Sequence, residues 1–188
     1  NTITNVSSGG GEFVNLNVKR YGVIFNDNTI SGLRRGVSIN RNSSYDSQRF
    51  QAVESLVMLL GNNSIVGNVG VEQWEKEQSG LVVTDSTKGM LVVTNNVVSG
   101  GSGVGIRLQN DTESVAAFVS NNTIQKNQGV GLRVSGKILP MVKGNVIEGN
   151  GSGSEFEYTD VNTSGEFEVR GNAIRTSTGV GIKISGQS

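Results

Sequence analysis

Apolar and polar residues alternate in short runs along this chain, and the runs return in a fixed frame. The stretch Val115–Val134 displays it: Ala117 and Val119, then Asn122 and Ile124, then Val130, Leu132 and Val134. With Asn122 as the anchor, equivalent asparagines stand at Asn28, Asn63, Asn96, Asn145 and Asn172. Three residues before the anchors stand Phe25, Leu60, Val93, Val119, Val142 and Val169. Five before stand Val23, Met58, Leu91, Ala117, Pro140 and Phe167, and two after stand Ile30, Ile65, Val98, Ile124, Ile147 and Ile174. All eighteen positions are apolar in a chain that is 35% hydrophobic, so the frame is not an accident of composition. A spacing of two is strand periodicity. Counted from Asn1, the anchors are 27, 35, 33, 26, 23 and 27 residues apart, a solenoid period. The pattern predicts an all-β fold, a parallel β-helix of about six to seven coils with three strands per coil. It forms one domain over residues 1–188, with loops near 40–51, 69–78 and 151–164.

Each coil has three predicted pieces. A first strand runs into the anchor, a short middle segment is centred two residues after it, and a third strand carries Gly-Val-Gly-Ile/Leu. That motif stands at Gly103–Ile106, Gly129–Leu132 and Gly179–Ile182, with variants Gly36–Ile39 and Gly80–Val83. The coil of Asn145 departs from it: Gly151–Ser154 comes first, and Phe156 and Tyr158 take the inward positions. Asparagine suits the corner because its amide both donates and accepts, and because it tolerates corner backbone. The column Asn28, Asn63, Asn96, Asn122, Asn145 and Asn172 is therefore expected to form a structural ladder. Asn68, Asn127 and Asn150, five residues after their anchors, are expected to form a shorter second one.

Composition narrows the partners. Sixteen basic and 16 acidic side chains cancel, so no charge imbalance draws the chain to nucleic acid, and no apolar span suits membrane insertion. Cysteine and histidine are both absent. Disulfides, thiolate sites and imidazole chemistry go with them, and no metal or cofactor is expected. One Pro, 27 Gly and 21 Asn describe a chain that turns often. No signal peptide is legible and the chain begins in mid-pattern, which reads as a mature or excised segment. Without a helix or polar cap at either end, the module is expected to belong to something longer or to cap by stacking.

Three sets of residues are candidates for function. In the first strand, residues four and six before the anchors face outward. They include Ile24, Leu59, Val92, Phe118 and Met141, with Val57, Met90 and Leu139, and the column ends in Glu168. An apolar outer face of that extent calls for a cover: a loop of the chain (69–78, with Trp74), a second copy, or an adjoining domain. A second set, Arg107, Arg133 and Lys183, lies eleven residues after its anchors, with Glu157 expected in the intervening coil. That column would suit an acidic glycan or act as a plain surface ladder. The third set is Asp111 and Asp160, both fifteen residues after an anchor and two coils apart. Their separation of about 9–10 Å lies near the upper end for an inverting carboxylate pair. Solvated corner residues are the simpler reading of that pair.

The Asn-x-Ile anchor followed by Gly-x-Gly-Ile resembles the right-handed parallel β-helix repeats of the pectin-lyase-like superfamily, from Asn28 to Ile184. The resemblance implies a right-handed coil, in keeping with the rule for parallel connections. It also implies an extracellular or surface location, bacterial or phage. It does not choose among lyases, hydrolases, epimerases, tailspikes and adhesins. The pectin hydrolases of that superfamily use clustered Asp with a His and an Arg-x-Lys signature; here there is no His, and Asp85, Asp111 and Asp160 are solitary. The expectation is an adhesin-like structural or binding module whose apolar face is covered by a partner copy or adjoining domain. The alternative is a carbohydrate-active enzyme, lyase or hydrolase, with a glycan along the helix face.

Overall fold

The computed structural model describes residues 1–4, 14–17, 23–33, 36–40, 56–68, 80–84, 89–159 and 167–187. They form eighteen strands and no helix, and every strand pair is parallel. The middle segments make one seven-stranded sheet. Its strands are β1 (Thr2–Thr4), β4 (Thr29–Ser31), β7 (Ser64–Val66), β10 (Val97–Ser99), β12 (Thr123–Gln125), β14 (Val146–Glu148) and β17 (Ala173–Arg175), in that order. Their central residues pair as Ile3, Ile30, Ile65, Val98, Ile124, Ile147 and Ile174, a single column along the axis. The chain is a parallel β-helix.

The second sheet holds the other two pieces of each coil. The first strands are β3 (Val23–Asn26), β6 (Leu56–Gly61), β9 (Gly89–Thr94), the ends of β11 (Ile106–Ser120) and β13 (Val130–Lys143), and β16 (Glu168–Arg170). The third strands are β2 (Val14–Asn17), β5 (Val37–Asn40), β8 (Leu81–Thr84), the beginnings of β11 and β13, β15 (Ser152–Thr159) and β18 (Ile182–Gln187). In β11 and β13 the third strand of one coil therefore runs straight into the first strand of the next. The bend between them lies at Gly136, whose φ is +83°. A Cβ there would collide with the Asn110 carbonyl, so only glycine lets the coils close at this point. On β11 the same bend carries extra residues, and the pairing jumps from Asn110–Gly136 to Val115–Ile138.

Burial follows the alternation. Along β13, residues 130–143, every second side chain from Val130 to Val142 is buried, straight through the bend. The core joins the middle column to Leu60, Leu91, Val93, Ala117, Val119 and Val142 from the first strands. Val37, Ile39, Leu81, Val83, Ile106, Leu108, Leu132, Val134 and Phe156 join it from the third. Pro140, an unusual residue within a sheet, stands where β16 does not reach: that strand pairs only from Met141 onward.

The second glycine of Gly-Val-Gly-Ile/Leu has a local cause. A Cβ on Gly131 would stand 2.6 Å from Cγ2 of Ile147 and 2.8 Å from both Nδ2 of Asn150 and the Gly153 carbonyl. The coil therefore tucks its backbone against the neighbouring coil's isoleucine and asparagine. Register also corrects the alignment of the variant motifs. Val37 and Leu81 pair in the column of Ile106 and Leu132, so Gly36 and Gly80 match the second glycine of the motif, not the first.

Of the expected loops, residues 41–51 and 69–78 lie outside the described residues. The stretch 151–164 was expected to leave the coil, but Ser152–Thr159 is strand β15, in register with β13 and β18. Here the stretch from the anchor to the third strand is one residue shorter, not longer: Val130, eight residues after Asn122, pairs with Ser152, seven after Asn145. Ser154 consequently takes the inward position held by Leu132 and Ile182 in the adjoining coils.

Candidate functional site

The asparagine column is one unbroken chain of amides. Nδ2 of Asn1, Asn28, Asn63, Asn96, Asn122 and Asn145 each donates to Oδ1 of the next anchor, ending at Asn172, over 2.9–3.0 Å. That same Oδ1 also accepts the main-chain N–H of the preceding anchor, from Asn28 through Asn145. The remaining amide hydrogen reaches backward to a carbonyl: Asn63 to Phe25, Asn96 to Leu60, Asn122 to Val93, Asn145 to Val119 and Asn172 to Val142. An interior anchor thus fills two donor and two acceptor places while bonding the coils on either side. Left-handed backbone falls on the residue before the anchor, not on the anchor: Asp27, Asn62, Asn95, Asn121, Gly144 and Gly171 all have φ between 54° and 66°. The expected tolerance for corner backbone is therefore exercised one position earlier than the sequence suggests.

The second ladder is shorter. Asn127 donates to Oδ1 of Asn150 at 3.0 Å, and Gly101 N–H donates to Oδ1 of Asn127. The ladder breaks at Gly101, and one coil earlier the buried Asn68 Nδ2 has no hydrogen-bond partner among the described residues. From Asn28 to Asn172 the side-chain amides of the main ladder are all engaged in it.

On the outer face of the first strands, Ile24, Leu59, Val92, Phe118, Met141 and Glu168 pair in one column, and Val57, Met90, Ala116 and Leu139 in the other. Ile24 is 74% exposed, Met90 37% and Met141 39%, while Leu59, Val92, Phe118 and Leu139 are half-buried. The side chain of Val57 lies outside the described set.

The charged column differs from expectation at one coil. Arg107 pairs with Arg133, Arg133 with Glu155, and Glu155 with Lys183. Glu155, not Glu157, occupies the intervening place: it stands ten residues after Asn145, one fewer than in the adjoining coils, where the expectation of Glu157 needed one more. Glu157 stands in the neighbouring column with Ser135 and Ser185. Arg133 binds Glu155 through Nε and Nη2 at 3.2 and 2.9 Å on a partly exposed surface, a geometry worth little in water. Arg107 Nη2 donates to Gln109 at 2.6 Å, and Gln109 Nε2 donates to Asp111 at 2.8 Å.

Asp111 is exposed and Asp160 lies outside the described residues. Asp111 follows Asn110, which is level with Gly136 and Tyr158. Sequence reasoning also passed over the aromatic trio near the C-terminal coil. Phe167 meets both Phe156 and Tyr158 edge-on, with ring centroids 5.3 Å apart. Burial pushes the Tyr158 phenol well above its ordinary value, and its hydroxyl has no hydrogen-bond partner among the described residues.

Residues 1–163 match the family described as Periplasmic copper-binding protein (NosD). The chain belongs to the NosD family. NosD is a parallel β-helix family of the pectin-lyase-like type, so the resemblance drawn from the repeats reaches the right architecture. Membership makes the chain a β-helix module of a periplasmic family. No curated protein and no solved structure gives a match to it. No helix among the described residues is long and apolar enough to cross a membrane.

The family's description implies copper, and the donor set does not fit that ion. The sequence has neither His nor Cys, and among the described residues no three of His, Cys, Asp and Glu come together.

Proposed function

We propose that the chain is a binding module of a periplasmic or surface β-helix protein, adhesin-like in that it works through an exposed face. The outer face of its first strands seats against a second copy or an adjoining domain of the parent. One observation carries this reading: Ile24, Leu59, Val92, Phe118 and Met141 lie in a single register column, flanked by Met90 and Leu139. Isolated apolar surface residues are ordinary, whereas a contiguous sheet face is a surface that proteins bury. Phe118 stands at its centre and is the natural anchor.

Sedimentation velocity at two protein concentrations tests the reading. The wild-type chain is expected to gain mass with concentration, and Phe118→Asp to sediment as a monomer. A wild-type monomer at both concentrations, with Met90 and Met141 oxidised at solvent rates in hydroxyl-radical footprinting, would end this proposal.

A second reading, contact with an acidic glycan along the third strands, draws on the alignment of Arg107, Arg133, Glu155 and Lys183. Binding on a glycan array that is lost in Arg133→Ala/Lys183→Ala would favour it. The enzyme alternative would need Asp111 to act with a second carboxylate. Among the described residues, Gln109 is the group that hydrogen-bonds to it. Turnover of a polysaccharide abolished by Asp111→Asn would revive that alternative.

A further inference from the structure

The family's description names copper, and the side chains of this member argue for a different relation to the metal. Copper(I) prefers thiolate and thioether sulfur, and copper(II) prefers imidazole and other nitrogen donors. No Cys and no His occur anywhere in the 188 residues, so a soft site would fall to Met58, Met90 and Met141.

Met90 and Met141 share the outer face of the first strands but not a column. Met90 is level with Ala116 and Leu139, and Met141 with Phe118 and Val92. Two strand spacings along the axis and two residues along the strand put their Cα atoms about 12 Å apart. Met58 pairs in the Val23–Leu91 column, one residue out of step with Met90. With no thiolate or imidazole anywhere in the sequence, no strong copper donor can stand beside these thioethers. Carboxylates suit harder ions, and the buried amides of the main ladder are engaged with one another.

We infer that this chain is a NosD-family β-helix without a copper site of its own, so that any part it plays in copper handling is played through contact with another protein that holds the ion. The inference rests on the donor set and stands whether or not the outer face takes a partner.

The test is anaerobic competition of the 188-residue chain for copper(I) against bathocuproine disulfonate, and for copper(II) against a chromophoric copper(II) chelator. Each chelator accounts for every ion added, so a null is itself a measurement. The chain is expected to leave both absorbances unchanged up to one equivalent, and its thermal midpoint is expected to be the same with and without metal. Withdrawal of one equivalent from either chelator, or a midpoint raised by copper, would overturn the inference. Loss of that uptake in Met90→Leu/Met141→Leu would then name the ligands. Mass gain in sedimentation reports on the outer face alone, so the two ideas fail separately.

Discussion

At the scale of single residues, stability is concentrated in amides that bridge three coils. Asn122→Ala would strand the Asn96 main-chain N–H, the Asn96 amide and the Val93 carbonyl inside the protein. Each buried group left unpaired costs about 1–3 kcal/mol, so a loss of about 3 kcal/mol or more is expected in urea unfolding. Asn172→Ala also strands three partners, but the site is half-exposed and water replaces them; a clearly smaller loss is expected. Equal losses would mean that the ladder is not what holds the corner. The gap at Gly101 makes the opposite prediction. Gly101→Asn supplies an acceptor for the orphaned Asn68 amide and should raise stability by about 1 kcal/mol. Tyr158 adds a pH dependence. Its folded pKa is raised by burial while the unfolded chain ionises near pH 10. The contribution is therefore complete below about pH 10 and is lost as pH rises from there. Tyr158→Phe should remove that alkaline fall, read as urea midpoints at pH 8 and pH 11.

At the scale of elements, the corners decide which coils can stack. The middle strands are three residues long and held at both ends by left-handed residues, the second set being Gly32, Gly67, Gly100, Lys126, Gly149 and Thr176. Such short strands would not persist alone; the ladder and the isoleucine column fix them in register. The third strands depend instead on close backbone approach. Gly131→Ala pushes a methyl into Ile147 and Asn150 of the next coil, and a destabilisation of about 1–3 kcal/mol is expected from overpacking. Gly181→Ala is the internal control, because a Cβ there meets nothing within 4 Å. Thermal melts of the two variants should differ accordingly.

For the whole molecule, the interior of the solenoid is held by uncharged groups, and the described ion pairs lie on its partly exposed surface: Arg133–Glu155, Arg170–Glu168 and Arg175–Glu148. Screening at 1 M salt shortens the Debye length to about 3 Å and weakens only those pairs. The unfolding free energy should therefore stay within about 1 kcal/mol between 0.1 and 1 M NaCl. A larger fall would mean that charge holds the coils together. Partner binding is expected to be equally insensitive if the apolar face is the contact, whereas glycan binding through Arg133 and Lys183 would weaken with salt.

The repeat frame alone determined the architecture, because buried positions two residues apart, recurring at one anchor, leave a chain few ways to hide them. It also placed the asparagine and isoleucine columns and the apolar outer face, since alternation assigns each strand residue to a side. Pairing between coils was decided only in three dimensions. The stretch from Asn145 to its third strand, shorter by one residue where it was expected to be longer, put Glu155 in the place expected of Glu157 and drew Ser154 into the core. A count from each anchor cannot register such a slip. The hydrogen bonds across the sheet do, because each fixes one residue against one partner.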